Sequence, residues 1–301
     1  MPEFTLPDFA HTYINNVRDR SIDLITYKIW NGLNILDLKK WLNNFEGDLE
    51  QYFAACILDA LVFRSEEQLV AQAKELFTKK ICNLLSKNGY ILPHYSSFID
   101  ILKGSPNSDF RLVSVSNRNE RPVKSSNLIL RLYKRKLGFN ENWFITPDEV
   151  EKEHNVGIKN FIFVDDFLGT GKQFYSMYRG YGFSLLLKDC TTIYAPLVAH
   201  EFGMNYLTEN FPEVAVTSSE TLDDDDNVFN HAFEDGINSP ENAKIFYTML
   251  LKKYKFVNLL PENEYGYGNL GLVYTFSHSS PDNCLNIIWD SQNSWNPLVR
   301  K

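Results

Sequence analysis

Cysteine is scarce in this sequence, and its four copies are widely spaced. The chain has 301 residues, and Cys56, Cys82, Cys190 and Cys284 form no Cys-x-x-Cys pair. Neither a zinc site nor a disulfide framework is indicated, so we expect reduced thiols. The six histidines show no His-Glu-x-x-His spacing, which removes the best-known zinc-protease motif from consideration.

Long apolar runs and an excess of positive charge are also missing. No apolar run approaches the roughly 20 residues that a membrane helix needs, and the first residues lack the basic and then apolar pattern of a signal peptide. The formal net charge is −8, which argues against general adhesion to nucleic acid or acidic lipid. We therefore expect a soluble, cytoplasmic protein that does not associate with a membrane.

One stretch departs from this acidic balance. Residues 101–140 carry nine Lys/Arg and two Asp/Glu, a net charge of +7, whereas residues 1–100 carry a net charge of −3. Two interpretations remain open, a local anion-binding site and the solvated basic face of a helix.

The opposite extreme is a run of four aspartates at residues 223–226. Adjacent carboxylates repel one another and cannot all face one ion. We therefore interpret this run as a solvated loop and not as a metal site.

Two domains are predicted from the change in pattern along the chain. Residues 1–103 are mostly helical in pattern, with apolar core faces at 30–42, 52–63 and 65–85. A loop rich in Gly, Ser, Pro and Asn begins at Gly104 and marks the boundary. Within the second domain, residues 104–301, strands are predicted at 110–116, 161–164, 191–198, 270–276 and 284–289, and helices at 125–137, 171–187 and 241–254. This alternation predicts an α/β fold with a mainly parallel sheet flanked by helices.

The chemically informative segment follows the apolar run at residues 161–164. Asp165 and Asp166 come next, at the expected carboxyl end of a buried strand, where open α/β sheets bind ligands. Carboxylates there can accept hydrogen bonds from the vicinal hydroxyls of a ribose or hold water on a divalent cation. The loop Gly169-Thr170-Gly171 then leads into a helix, whose N–H groups and dipole suit a phosphate.

Three other interpretations use the same residues. A P-loop requires Gly-x-x-x-x-Gly-Lys-[Ser/Thr], but Asp166 replaces the first glycine and Gln173 the last hydroxyl residue. A dinucleotide fold requires Gly-x-Gly-x-x-Gly with the acid after the glycines, and that order is not met. A purely structural turn from strand to helix remains the third.

The strand followed by Asp-Asp-x-x-x-Thr-Gly resembles the ribose-phosphate loop of type I phosphoribosyltransferases. The resemblance implies that Asp165 and Asp166 hold the ribose of phosphoribosyl pyrophosphate, act in catalysis and bind Mg²⁺. It also implies a 5-phosphate cradle formed by residues between the acids and the helix: Phe167, Leu168, Gly169, Thr170, Gly171, Lys172 and Gln173. Gln173 departs from the family pattern, in which a small hydroxyl residue often stands at this position.

Further family features flank this loop. In the family an earlier loop before a helix binds pyrophosphate, and here Lys124, Ser125 and Ser126 occupy the matching place, although the two serines are equally well explained as a helix cap. The polar segment at residues 146–157 falls where the family has a mobile loop that closes over the substrate.

The end of the chain resembles a divergent bacterial branch of phosphoribosyltransferase-like proteins. Gly266-Tyr-Gly268, His278-x-x-Pro281-x-Asn283 and Trp289 carry this resemblance. It implies a winged-helix-like N-terminal region, which the segment at residues 41–45 resembles, and an effector role in bacterial conflict systems such as retrons. His278 then lines a hood over the leaving or accepting group, or is a loop histidine bonded to backbone. Trp289 is interpreted as a core residue rather than a base-stacking platform.

Two functions of different class follow from these patterns. The first is a phosphoribosyltransferase, or a related enzyme acting on a nucleotide's glycosidic bond, with Mg²⁺ as cofactor and phosphoribosyl pyrophosphate or a nucleotide as substrate. It would serve as an antiviral effector together with a reverse transcriptase and nucleic-acid complex. The alternative is a non-catalytic subunit with the same fold that senses a nucleotide or binds nucleic acid or a partner protein.

Overall fold

The computed structural model describes residues 3–91, 97–107, 109–116, 125–233, 235–256 and 261–299. Within these ranges the α-helices are α1 (Ala10–Thr26), α2 (Ile35–Leu42), α3 (Gly47–Asp59), α4 (Glu66–Glu75), α5 (Ile81–Lys87), α6 (Ser97–Lys103), α7 (Ser125–Leu132), α8 (Val150–Asn155), α9 (Lys172–Gly180), α10 (Phe183–Leu186), α11 (Glu201–Asn210), α12 (Val228–His231), α13 (Pro240–Lys253) and α14 (Asn286–Trp289). The strands are β1 (Val62–Arg64), β2 (Phe110–Ser114), β3 (Phe144–Ile145), β4 (Asn160–Leu168), β5 (Thr191–His200), β6 (Val214–Val216), β7 (Glu220–Leu222) and β8 (Tyr274–Phe276). Two π-helical turns, Leu76–Lys80 and Tyr133–Leu137, follow α4 and α7 directly.

The chain forms two compact units, and the predicted boundary at residues 103/104 lies inside one of them. Gln68–Leu222 make up what we call the sheet unit, and Met1–Glu67 together with Asp223–Lys301 make up the helical unit. Aromatic packing explains why the helical segments between residues 68 and 104 belong to the sheet unit. The ring of Phe98 in α6 lies 5.1 Å from that of Phe110 in β2, and Phe77 lies 5.0 Å from Tyr133.

The sheet unit is built on a parallel sheet with strand order β3-β2-β4-β5-β6, and β7 pairs with the far end of β5. Its central strand β4 is almost continuously apolar before the acids and is buried on both faces, as is typical of parallel sheets covered by helices. The predicted mainly parallel α/β fold is confirmed in this respect.

The sheet has two different faces because successive side chains of a strand point in opposite directions. One, which we call the α9 face, packs residues of β2, β4 and β5 under α9; its members include Val113, Phe161, Phe163, Phe174, Tyr178 and Tyr194. We call the opposite face the α7 face. It includes Phe110 of β2. Ring contacts lead from Phe110 to Phe98, from Phe98 to Phe77 and from Phe77 to Tyr133, directly after α7.

The helical unit surrounds an aromatic core of its own. Phe4 stacks on Phe246 at 4.7 Å between ring centroids, and the Trp41 indole N–H donates to the Ile287 carbonyl at 2.7 Å. The predicted core faces at 30–42 and 52–63 lie in this core, but the second is α3 followed by β1 rather than one helix. The winged-helix likeness stays a prediction.

Two sequence-based assignments were wrong. Residues 284–289 form a bridge at Cys284 and then α14, not a strand, since a short buried apolar run fits either structure. Residues 146–157 form a capped 3-10 turn and α8 rather than a loop. Thr146 and Glu149 make a capping box, and Glu153 pairs with Arg111 of β2 at 2.8 Å.

The aspartate run is mostly exposed, as predicted for a solvated segment. Asp223 caps the 3-10 turn Asp224–Asp226, and three of these four residues are exposed. Within the described ranges, no group of three or more His, Cys, Asp or Glu side chains is placed to hold a metal ion. None of the described helices is both long enough and apolar enough to cross a membrane.

Candidate functional site

The acid pair lies inside β4, not at its end as predicted. Asp165 still pairs with Pro196 of β5, and the ladder continues to Leu168 opposite Ala199. On the other side β2 stops at Ser114, opposite Val164. The two acids therefore begin where the pairing of β4 with β2 ends.

Asp165 is a buried residue whose two oxygens already accept hydrogen bonds. Its Oδ1 accepts from the backbone N–H of Asp166 at 3.0 Å, and its Oδ2 accepts from the hydroxyl of Tyr194 at 3.3 Å. Only 2% of the residue is exposed. Asp165 lies on the α9 face beside Tyr194, because its neighbour two residues back, Phe163, is opposite Tyr194 in the register.

Tyr194 ties this acid to the helix that follows the glycine loop. Its ring stacks on Phe174 of α9 with centroids 4.2 Å apart and planes 18° apart. The hydroxyl is therefore held in place by a packed aromatic pair while it donates to Asp165. We interpret Tyr194 as a positioning residue for this carboxyl.

Alternation along β4 assigns Asp166 to the α7 face. Its Oδ1 accepts the N–H of Phe167 at 2.9 Å, and 5% of the residue is exposed. Alternate residues of β4 on this side are Ile162 and Val164, both fully buried. The two acids are thus neighbours in sequence but are supported by different layers of the fold.

Burial and mutual repulsion govern the ionisation of this cluster. Burial first, and then the charge of Asp166, raises the pKa of Asp165 well above that of an ordinary aspartate. Burial, followed by the charges of the two carboxylates, also raises the pKa of Tyr133 and of Tyr194 well above the usual tyrosine range. Both tyrosines are therefore neutral and able to donate a hydrogen bond at neutral pH.

The loop 169–171 is held by a close backbone contact with α11. Gly171 has a left-handed backbone (φ +79°) directly before α9, as glycine permits without strain. A methyl group on Gly203 of α11 would lie 2.2 Å from the Gly169 carbonyl oxygen, so only glycine allows this approach. The first N–H groups of a helix have no acceptor within it, and the ordered loop presents those of α9 together.

Side chains around the loop differ in their exposure. Thr170 is 6% exposed, whereas Lys172 and Gln173 are exposed at the first turn of α9. The Gln173 side-chain amide makes a long contact of 3.5 Å with the Val115 carbonyl, just beyond β2. Phe167 and Leu168, predicted as part of the phosphate cradle, belong to β4, and Leu168 is buried in the α9-face core.

Four predicted site residues remain: Lys124, Ser125, Ser126 and His278. Lys124 lies outside the described residues, and Ser125 and Ser126 form the first turn of α7. His278 belongs to the helical unit, where its ring stacks on Phe276 at 5.2 Å. The roles predicted for these four residues stay predictions.

Trp289 belongs to the core of the helical unit, as predicted. It is partly buried against that core, and its indole N–H donates to the Cys284 carbonyl at 3.3 Å.

The sequence comparison identifies the family. The PRTase-CE family model matches residues 38–301. This chain belongs to the PRTase-CE family. The match includes the acid pair, the glycine loop and the predicted C-terminal signature, which confirms the phosphoribosyltransferase-like resemblance. No curated protein and no solved structure matches the chain.

The donor set of this PRTase-CE site is compatible with Mg²⁺. Carboxylate oxygens are ligands that Mg²⁺ accepts, and it commonly uses one or two of them together with water and substrate phosphates. Asp165 and Asp166 offer such oxygens, although hydrogen bonds from the protein already engage both oxygens of Asp165.

Proposed function

We propose that this chain binds phosphoribosyl pyrophosphate or a nucleoside 5′-phosphate at the acid pair and the loop 169–171. One observation carries the proposal: two buried carboxylates are followed, after two residues, by a glycine-containing turn at the start of α9. The carboxylates suit the vicinal hydroxyls of a ribose. The N–H groups and dipole at the start of α9 suit its 5-phosphate.

The reaction we propose is transfer or hydrolysis at ribose C1. The bond from C1 to the pyrophosphate oxygen breaks, pyrophosphate leaves with the electron pair, and an acceptor or water forms the new bond to C1. Asp165 and Asp166 stabilise the positive charge that develops on the ribose, while the loop binds and positions the 5-phosphate. Mg²⁺, when bound, neutralises charge on the departing pyrophosphate.

A turnover experiment tests this proposal. The protein is incubated with Mg²⁺ and labelled phosphoribosyl pyrophosphate, and pyrophosphate release is followed with the parent and with the Asp165→Asn/Asp166→Asn double variant. Release by the parent alone supports transfer or hydrolysis. Tight binding without release supports the sensor function instead, and neither binding nor release contradicts the proposed site.

We also propose that the cellular role is that of an effector in a bacterial antiviral defence system of the retron type. Support comes from the C-terminal residues Gly266, Gly268, His278, Pro281 and Asn283, which lie within the matched family range. The protein would be expressed in a bacterial host, with and without a retron reverse transcriptase and its nucleic acid, and challenged with phage. Equal survival with the parent and the double acid variant would contradict an effector role that depends on this site.

A further inference from the structure

The buried hydroxyl of Tyr133 has no hydrogen-bond partner among the described residues. The residue is fully buried, and its ring is fixed by edge-on contact with Phe77 at 5.0 Å and by packing with Phe139 at 5.9 Å. Leaving a buried hydroxyl unpaired destabilises the fold, and most buried polar side-chain atoms in proteins are hydrogen-bonded. A partner from outside the chain would satisfy this hydroxyl.

The position of Tyr133 indicates where that partner binds. Tyr133 directly follows α7, which packs on β4, and the aromatic contacts place it on the α7 face. Asp166 is on the same face, because it alternates along β4 with Ile162 and Val164, and Val164 is opposite Ser114 of β2. Phe110 and Ser114 share a face of β2, so Tyr133 and Asp166 flank the same side of the sheet.

Each face of the sheet carries a buried tyrosine and one aspartate of the acid pair. On the α9 face the hydroxyl of Tyr194 donates to Asp165, which completes that pair within the protein. On the α7 face the hydroxyl of Tyr133 has no hydrogen-bond partner among the described residues, and Oδ1 of Asp166 accepts the N–H of Phe167. The carboxylates' effect on the pKa of Tyr133 agrees with a hydroxyl close to the acid pair.

We propose that Tyr133 is a ribose-binding residue whose hydroxyl donates to one of the vicinal ribose hydroxyls held by Asp166. This inference rests on the proposed function, since it names a further contact within the same site. Tyr133 and Asp166 then grip the sugar together, whereas Tyr194 and Asp165 form the fixed half of the site. The ligand class recognised is a ribose 5-phosphate with both hydroxyls present.

Calorimetric titration tests the inference. The parent and the Tyr133→Phe variant are each titrated with ribose 5-phosphate, 2-deoxyribose 5-phosphate and 3-deoxyribose 5-phosphate. We expect the variant to bind ribose 5-phosphate about tenfold more weakly, as one hydrogen bond of about 1.4 kcal/mol predicts. We also expect it to bind one of the two deoxy sugars as tightly as the parent does, because the lost hydroxyl then has nothing to contact. Equal losses for all three sugars, or no loss, would overturn the inference.

Tyr178→Phe is the matched control. Tyr178 is also a fully buried tyrosine of the sheet unit whose hydroxyl has no partner among the described residues, but it packs on the α9 face with Phe163 and Phe183. This variant should bind all three sugars as the parent does.

The melting temperature separates a ligand contact from a structural role. Tyr133→Phe removes an unpaired hydroxyl and keeps the ring, so the unliganded variant should melt at or above the parent's temperature. A lower melting temperature would show that the hydroxyl supports the empty protein and would overturn the inference. A parent protein that binds none of the three sugars would overturn the proposed function and this inference together.

Discussion

Asp165 and Asp166 are chemically unequal although they are adjacent. Asp165 lies between the Tyr194 hydroxyl and the Asp166 N–H, and its pKa is raised chiefly by burial. Asp166 lies on the other face of β4, beside the layer that contains Tyr133. A carboxyl held as Asp165 is held is suited to orienting its neighbours.

Asp165→Asn should flatten the pH dependence of stability in the absence of Mg²⁺. An unfolded aspartate titrates near pH 4, and the folded pKa of Asp165 is higher. Between these two values the folded state binds more protons than the unfolded state, so the free energy of unfolding falls as pH rises. Asparagine keeps the shape and removes this loss.

Urea unfolding from pH 4 to 8 in EDTA measures the effect. Asp19→Asn removes the same charge at an exposed position of α1 and serves as the control. If the Asp165→Asn protein loses stability with rising pH as steeply as the parent, then the pKa of Asp165 is not raised in the folded state.

Thr170→Val should weaken the binding of ribose 5-phosphate by about 1–3 kcal/mol, as expected for a hydrogen bond to a charged group. Valine keeps the shape of threonine and removes its hydroxyl. Thr170→Ser keeps the hydroxyl and should bind nearly as well as the parent. Calorimetric titration of the three proteins decides the question, and equal affinities for the valine variant and the parent would exclude a phosphate role for this side chain.

The candidate site residues that belong to one local sequence motif could be predicted from the sequence. Those that join the site only through tertiary contacts could not. Asp165, Asp166 and Thr170 stand within one short motif. Tyr194 is 29 positions from Asp165, and nothing in the sequence near it signals the hydrogen bond. The hydroxyl of Tyr133 became notable only when the structure showed it to be buried without a partner.

At the scale of elements, α11 supports the glycine loop from behind. A Cβ atom at Gly171 would meet Tyr206 at 3.0 Å and the Gly203 carbonyl at 3.2 Å, so bulk there strains the fold before it meets any ligand. Gly171→Val therefore reports on stability and is a poor probe of phosphate binding. The informative glycine is Gly203, which faces the loop from the neighbouring helix.

Gly203→Ala should displace the loop, because its new methyl group would lie 2.2 Å from the Gly169 carbonyl oxygen. We expect a loss of about 1–3 kcal/mol in the free energy of unfolding, typical of overpacking, together with weaker binding of ribose 5-phosphate. Gly180→Ala is the matched control, since a methyl group on that glycine of α9 meets nothing within 4 Å. Unchanged stability and affinity in Gly203→Ala would mean that the loop is not fixed by this contact.

The sequence predicted the presence of the central strand but not its full length. The strand at 161–164 was recognised, but β4 extends to Leu168 because β5 continues to pair with it beyond the end of β2. Hydrogen bonding by a distant strand leaves no signal in the local sequence. The segment 146–157 is polar enough for a loop, yet its capping box and the Glu153–Arg111 ion pair stabilise a helix.

At the scale of the whole molecule, the chain leaves its first unit and later returns to it. Residues from 223 onward join those before 68, as in the hydrogen bond from Trp41 to the Ile287 carbonyl. A change of composition at residue 104 marks a change of local pattern only. A division into contiguous domains could not anticipate a core assembled from both ends of the chain.

Ligand binding to the native fold should raise the melting temperature, and Mg²⁺ should discriminate between ligands. A ligand at 100 times its Kd adds about 2.7 kcal/mol to stability when it binds only the folded state. Phosphoribosyl pyrophosphate carries a pyrophosphate that shares Mg²⁺ with the acid pair, so its shift should grow with Mg²⁺. Ribose 5-phosphate lacks that group and should give a shift that depends little on Mg²⁺. Thermal melts of the parent and of the Asp165→Asn/Asp166→Asn variant, each with both ligands and with Mg²⁺ or EDTA, test this. The double variant should fold but lose both the shift and its Mg²⁺ dependence, whereas equal shifts in the two proteins would place the ligand away from the acid pair.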